Sequence, residues 1–114
     1  MRRSLTILSL VLATVACDQL ANSTQQIAAV AVKMELVAIG KAEARYQVEN
    51  STYATIEQLQ KADLLIGDPD RKGYAFTLEI NGSSSFSATA TPADEKNKAW
   101  PTYAIDQTQQ VTVR

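Results

Sequence analysis

The side chains that carry most enzyme chemistry are scarce in this chain of 114 residues. Histidine is absent, and Cys17 is the only cysteine. Imidazole bases, zinc sites built from cysteine and histidine, and disulfides within the chain are therefore excluded. Serines cluster from Ser83 to Ser87, but a nucleophilic serine without histidine needs a lysine base, and no Ser-x-x-Lys motif is present. We expect a protein that is not an enzyme and that uses no cofactor.

Two carboxylates stand close together in segment 68–73, which reads Asp-Pro-Asp-Arg-Lys-Gly. Asp68 and Asp70 have the spacing that opens a calcium loop. Arg71 and Lys72 follow at positions where further oxygen ligands would be needed. The segment is therefore interpreted as a turn and no metal site is predicted, with Asp68 and Asp70 as the candidates should calcium bind here.

Tyr74, Trp100 and Tyr103 are the aromatic residues that could form a binding surface on the predicted sheet. Aromatic side chains around a small sheet more often pack within it or at its edge. We therefore favour packing over binding for these three residues.

The first residues have the layout of a secretory signal. Arg2 and Arg3 precede an apolar run of eleven residues, from Leu5 to Val15, that is broken only by Thr6, Ser9 and Thr14. A membrane-spanning helix needs about 20 apolar residues, so this run is too short to cross the bilayer. We expect residues 1–16 to be removed on export.

The residues before Cys17 read Thr-Val-Ala, which resembles the lipobox of bacterial lipoproteins. The resemblance implies acylation of Cys17, cleavage before it, and attachment to the membrane through this lipid. An ordinary signal cut that leaves Cys17 as a free thiol is the alternative, but such a thiol would be open to oxidation. The predicted organisation is a signal peptide at 1–16, a lipidated tether at 17–22 and a globular domain at 23–114. This places the protein in the cell envelope, on the periplasmic side of the inner or outer membrane.

The charge balance argues against nucleic acid as a partner. Without Arg2 and Arg3, nine basic side chains remain against twelve acidic ones. Binding to phosphate backbones needs clustered lysine and arginine, which a mildly acidic domain does not provide.

A long helix is predicted from Asn22 to Val48, because this segment lacks proline and has only Gly40 as a breaker. Asn22 or Ser23 can cap its start, and Asn50 and Ser51 end it. At helical spacing the apolar residues gather on two sides. One side carries Ile27, Val30, Met34, Val37 and Val48, and the other carries Val32, Leu36, Ile39 and Tyr46.

This wide apolar surface has two interpretations. The helix is either embedded in its own sheet, which we favour, or offers its second side to a partner. Charged residues interrupt the apolar surface, so any exposed patch is expected in the N-terminal half. The interrupting residues are Lys33, Glu35, Lys41, Glu43 and Arg45.

The C-terminal half predicts a short helix and an antiparallel sheet. Thr55 and Gln58 form a capping box, after which Ile56, Leu59 and Leu64 can turn inward. Alternation predicts a strand with Tyr74, Phe76, Leu78 and Ile80 on one face, then an Asn81-Gly82 hairpin and a second strand with Phe86, Ala88 and Ala90. Tyr103 and Ile105 are expected to pair with Val111 and Val113. An α+β fold follows, with the long helix packed on a sheet of three or four antiparallel strands.

The order of these features resembles the globular domains of type IV pilins and type II secretion pseudopilins, over about residues 26–113. The shared fragments are Tyr46 late in the helix, Thr52-Tyr53-Ala54 after it, Gly73-Tyr74 at the first strand, Ala90-Thr91-Pro92 at the end of the second, and the last pair at 103–106 and 111–113. Prepilins also have a glycine cleavage site, a phenylalanine after it, a glutamate five residues in, and a continuous apolar helix. A lipoprotein signal stands in their place here, so the resemblance implies a pilin-like roll in which lipid replaces the helix as anchor.

These observations lead to three functional hypotheses. The leading one is a non-catalytic envelope lipoprotein whose pilin-like domain makes protein–protein contacts, as an accessory of a pilus or secretion system. The alternative is a periplasmic ligand-binding module. An inhibitor of a secreted enzyme is a third hypothesis, suggested only by the small size of the domain.

Overall fold

The protein folds as one long helix and one short helix packed against a four-stranded sheet. A computed structural model describes residues 2–67 and 73–114, with side chains from Gln25 onward in the first helix. The elements are α1 (Arg2–Asn50), α2 (Ile56–Lys61), β1 (Tyr74–Asn81), β2 (Ser85–Pro92), a 3₁₀ turn (Glu95–Asn97), β3 (Tyr103–Asp106) and β4 (Thr112–Val113). The strands lie in the order β1-β2-β3-β4 and every pair is antiparallel. The predicted α+β class, with a long helix on an antiparallel sheet, is confirmed.

α1 ends where the sequence predicts but does not begin there. Ser51 adopts a positive φ of 61°, and its N–H donates to the Gln47 carbonyl at 2.8 Å. This left-handed residue closes the helix after Asn50. At the other end the helix begins at Arg2 and continues past Asn22 and Ser23. The predicted cap at these two residues is therefore wrong for the full-length chain.

The side of α1 that carries Val32, Leu36 and Ile39 faces the sheet. All three side chains are buried, and together with Ile105 of β3 and Ala88 and Ala90 of β2 they belong to one apolar core. We call this the core side of α1. Side chains three or four positions apart on α1 thus pack against alternate side chains of the strands, as the sequence patterns predict.

α2 begins with the predicted capping box. The Gln58 N–H donates to Thr55 Oγ1 at 3.2 Å, and the Thr55 N–H donates to Gln58 Oε1 at 2.9 Å. Leu59 is buried, whereas Ile56 and Leu64 are half-buried, and Leu65 enters the core instead. This region covers part of the sheet beside α1.

β1 and β2 form a regular hairpin. Tyr74 pairs with Pro92 and Asn81 pairs with Ser85, so the predicted alternation of inward and outward side chains holds along both strands. Gly82 opens the three-residue turn with a φ of 60°, which favours glycine. Thr52 Oγ1 donates to the Gly82 carbonyl at 3.2 Å and so ties the turn to the segment after α1.

β3 and β4 pair in the predicted register, but β4 is short. Tyr103 faces Val113 and Ala104 faces Thr112, while the β4 strand itself covers only two residues. Asp106 shapes the intervening turn, because its Oδ1 accepts hydrogen bonds from the Thr108 hydroxyl at 2.6 Å and the Thr108 N–H at 2.9 Å. These bonds lower the pKa of Asp106.

Among the described residues, none of the helices combines the length and apolar character that a membrane crossing requires.

Candidate interaction surfaces

The candidates for covalent and metal chemistry fall largely outside the described residues. Cys17 lies within α1, but its side chain is not among those described. Asp68 and Asp70 also lie outside the described residues, so the interpretation of segment 68–73 as a turn stays a prediction. In the described part of the chain, no group of three or more histidine, cysteine, aspartate or glutamate side chains could hold a metal ion.

The serine cluster forms the β1–β2 hairpin. Ser84 Oγ donates to the Asn81 carbonyl at 2.9 Å and closes the turn. Ser87 lies on β2, where its Oγ accepts a hydrogen bond from Arg114 Nη2 at 3.4 Å. Both serines therefore have structural partners within the hairpin and the C-terminal residue.

The three aromatic candidates pack together at one end of the sheet. Tyr74 and Tyr103 are buried, with ring centroids 6.2 Å apart, and Trp100 stacks on Tyr74 at 5.9 Å. The Tyr74 hydroxyl donates to the Pro101 carbonyl at 2.8 Å, and burial raises the pKa of this tyrosine. The cluster joins the start of β1 to the segment before β3, which agrees with packing rather than binding.

Glu43 is a buried carboxyl group that sequence reasoning placed wrongly. From the sequence, Glu43 was expected among the charged residues that interrupt the apolar surface of the long helix, yet its side chain is 0% exposed. Its Oε1 accepts a hydrogen bond from the Ala54 N–H at 2.7 Å, while Oε2 is buried without a partner. Burial raises the pKa of Glu43 from 4.5 to about 7, and the Ala54 hydrogen bond opposes this shift to a smaller extent.

A signal for this burial is present in the helical spacing. Glu43 follows Leu36 by seven residues and Ile39 by four, so it shares their side of α1. Its hydrogen bond fixes the segment between α1 and α2 against the helix. The group acts as an internal tie, and its burial keeps it out of contact with an external ligand.

Gly40 marks the closest approach of α1 to the β3–β4 turn. Its carbonyl accepts a hydrogen bond from Gln109 Nε2 at 2.9 Å. A Cβ atom at this position would lie 2.6 Å from Gln109 Oε1 and 2.9 Å from Ile105 Cδ1. Gly40 therefore lies within a continuous helix and makes room for the side chain of Gln109, which is distant in sequence.

The second apolar side of α1 is open to solvent. Ile27 is 62% exposed, Val30 is 57% exposed and Met34 is 68% exposed, and Val37 beside them is half-buried. We call these four residues the apolar stripe. The favoured interpretation, a helix embedded in its own sheet, therefore holds for the core side but not for this second side, and the exposed patch lies in the N-terminal half as expected. Contiguous apolar exposure of this kind is typical of a surface that meets a partner or a membrane.

Basic residues adjoin the apolar stripe. A shallow groove on the helix is lined by Lys33, Met34, Val37, Ala38 and Lys41. Lys33 Nζ also lies 5.1 Å from the centre of the Tyr103 ring, so its stem follows the surface towards β3. The stripe thus combines an apolar floor with ammonium groups at its borders.

The outer face of the sheet is the second open surface. The register places Thr77 beside Thr89 and Glu79 beside Ser87, which in turn faces Asp106 of β3. All five are exposed or half-buried. This face is polar from β1 to β3, in contrast to the face that packs on α1.

An open groove crosses the hairpin end of this outer face. Its charged lining consists of Glu79, Asp106 and Arg114, with Asn81 and Ser87 between them. Arg114 reaches Ser87 through the hydrogen bond described above. We call these five residues the hairpin groove. Charges of both signs in a fixed arrangement allow a protein surface to be recognised in one orientation.

Comparisons with models of known protein families, with curated proteins and with solved structures found no match to this chain.

Proposed function

We propose that this protein is a non-catalytic lipoprotein of the cell envelope, anchored by lipid on Cys17, whose pilin-like domain makes protein–protein contacts. Its partner is a component of a pilus or secretion system. Support for the anchor comes from the lipobox-like residues before Cys17. The α+β roll agrees with the architecture that the pilin resemblance implies.

The hairpin groove is the observation that carries the proposal of protein contacts. Glu79 and Asp106 supply carboxylates, Arg114 supplies a guanidinium, and Ser87 lies between them on a regular strand. Because β1, β2 and β3 are held by their pairing and by the core beneath, Glu79, Ser87 and Asp106 are presented on a rigid surface. Polar groups so placed favour a hydrogen-bonded contact with a folded protein.

The same groove distinguishes the proposal from the ligand-binding alternative. Small-molecule sites are concave, largely apolar and bury most of the ligand. The hairpin groove is open and lined mainly by polar and charged side chains. A protein surface fits this shape and chemistry better than a small ligand does.

Replacing Cys17 with alanine tests the anchor. The variant should leave the domain folded and move the protein from the membrane fraction to the soluble periplasmic fraction. A matched serine-to-alanine change at Ser83, which is exposed in the β1–β2 turn, should leave the fractionation unaltered. Membrane recovery of the Cys17→Ala protein equal to that of the original would refute the lipid anchor.

Photo-crosslinking in cells tests the protein contacts. A photoreactive residue at Asn81, in the hairpin groove, should yield a discrete adduct with an envelope protein, whereas the same residue at Glu57 of α2 should not. Arg114→Glu should remove the adduct because it reverses the only positive charge lining the described part of the groove. No adduct at Asn81, together with tight binding of a small molecule by the purified protein, would favour the ligand-binding alternative.

A further inference from the structure

The exposed charge beside the apolar stripe has one sign. On α1 between residues 26 and 48, the exposed charged side chains are Lys33, Lys41 and Arg45, all basic. Glu43 is buried and Glu35 is half-buried. This side of the helix therefore exposes apolar side chains together with basic side chains, and no exposed acid lies between residues 26 and 48.

The remaining acid at the end of α1 is paired. Glu49 Oε1 lies 3.3 Å from Arg45 Nε, one helical turn away. Lys41 forms no ion pair with any described side chain, and it lines the groove with Met34 and Val37. Lys41 is therefore the cation best placed to meet an anion at the apolar stripe.

Charge argues against a second copy of this chain as the occupant of the stripe. Two copies packed through this side would bring lysines and arginines of one helix against those of the other. Like charges brought together in a contact cost free energy, and no exposed acid lies among the stripe residues to compensate. The occupant must instead be negatively charged at its surface and able to accept apolar side chains.

The position of the stripe along α1 points to a membrane. The helix is continuous from Cys17 to the stripe. Ile27 lies ten positions after Cys17, which corresponds to roughly 15 Å along the helix at 1.5 Å per residue. A lipid at Cys17 keeps the stripe, which ends at Val37, within about 30 Å of the bilayer. When α1 lies along the membrane the stripe reaches the headgroups, where lysine stems can follow apolar surface while their ammonium groups meet phosphate.

We propose that the apolar stripe and its flanking cations lie on anionic lipid headgroups, with α1 along the membrane surface. This inference rests on the proposed lipid anchor at Cys17 and adds a second, non-covalent contact with the same membrane. Ile27, Val30 and Met34 enter the boundary between headgroups and acyl chains. Lys41 interacts with the lipid phosphates and sets the dependence on anionic lipid.

The test uses the mature lipidated protein with a nitroxide label at Met34→Cys, reconstituted into vesicles. One set of vesicles contains phosphatidylglycerol and phosphatidylethanolamine, and the other contains phosphatidylcholine alone. A label at Thr77→Cys, on the exposed outer face of the sheet, is the matched control. Collision of each label with a water-soluble nickel complex and with oxygen reports whether it lies in lipid or in water.

We expect the Met34 label to be protected from the nickel complex on anionic vesicles, and the Thr77 label to be accessible. Lys41→Glu should lower the ratio of protected to accessible Met34 label by about five-fold or more, since one cation near an anionic surface contributes about that factor. Lys61→Glu makes the same charge change on α2 and should have a smaller effect. Protection should also fall on phosphatidylcholine vesicles and at high salt.

Flotation with the vesicles separates the two proposals. Protein that floats with both vesicle types but leaves the Met34 label as accessible as the Thr77 label would overturn the membrane contact and leave the anchor intact. Protein that floats with neither would overturn both. Protection seen in native membranes but not in protein-free vesicles would also overturn the inference, because it would assign the stripe to a protein partner.

Discussion

Replacing Glu43 with glutamine should remove a pH dependence of folding that the buried carboxyl group imposes. The side chain is 0% exposed, and only one of its two oxygens has a hydrogen-bond partner. Glutamine has nearly the same shape as the protonated acid. Its oxygen can accept from the Ala54 N–H as Oε1 does, while its amide group occupies the position of Oε2. The variant therefore reproduces the neutral form at every pH.

The magnitude follows from the raised pKa. Burial shifts the pKa of Glu43 from 4.5 to about 7 in the folded protein. Below pH 4.5 the group is neutral in both folded and unfolded chains, and its contribution to stability is fully present. As the pH rises towards and through 7, the unfolded chain loses its proton more readily than the folded one, so stability is lost. At about 1.4 kcal/mol per pKa unit, the loss reaches about 3 kcal/mol.

Urea unfolding at pH 4, 6 and 8, followed by Trp100 fluorescence, measures this effect. Glu43→Gln should match the original protein within about 1 kcal/mol at pH 4 and exceed its free energy of unfolding by about 3 kcal/mol at pH 8. Glu79→Gln makes the same change of side chain at an exposed strand position and is the matched control. If the difference between Glu43→Gln and the original protein were the same at pH 4 and pH 8, the carboxyl group would not be neutral when buried, and the reasoning would fail.

Three further substitutions test the packing of α1 and the sheet. Leu36→Ala should lower the free energy of unfolding by about 2 to 5 kcal/mol, because Leu36 is fully buried. Leu78→Ala should lower it by less than about 2 kcal/mol, because Leu78 is half-buried. Equal losses in urea unfolding would contradict this order. Gly40→Ala should lose about 1 kcal/mol although alanine favours helix by about that amount, because its Cβ would crowd Gln109 and Ile105. The loss should shrink in a Gln109→Ala background, and a loss unchanged there would show that Gln109 is not the obstacle.

The elements set by local chemistry were predictable from the sequence. The capping box of Thr55 and Gln58 depends on residues three positions apart, and the β1–β2 hairpin depends on alternation around Gly82. The core side of α1 followed from helical spacing, since Val32 and Leu36 are apolar at matching positions. In each case the physical cause lies within a few residues of chain.

The features that sequence reasoning missed depend on contacts between distant segments. Glu43 was assigned to the surface because of its charge, although its spacing from Leu36 places it on the core side of α1. What permits its burial is the Ala54 N–H, which belongs to a different segment. The packing role of Gly40 was not predicted, because nothing in the local sequence shows that Gln109 approaches it. Spacing should therefore be given more weight than charge when a single acid falls on an apolar side.

The sequence also could not predict that the apolar stripe is exposed to solvent, because this too depends on contacts between distant segments. Helical spacing separated Met34 from Leu36, but which side meets the sheet depends on how many layers the domain has. The sheet has one apolar face, α1 covers that face with its core side, and of the stripe only Val37 packs against the core, so that Ile27, Val30 and Met34 stay exposed among the described elements. The spacing of apolar residues thus identifies two apolar sides of the helix. How many of these sides are buried depends on how many sheets the domain has to pack against them.

The two open surfaces of this domain lie on opposite sides of a two-layer fold. The apolar stripe is on the side of α1 away from the sheet, and the hairpin groove is on the face of the sheet away from α1. With the stripe on lipid, the sheet would stand between the helix and the periplasm and direct Glu79, Asp106 and Arg114 away from the membrane. The proposed membrane contact and the proposed protein contact therefore use different residues. Each leaves the other surface accessible, so a lipid-anchored domain could bind an envelope partner while α1 stays on the bilayer.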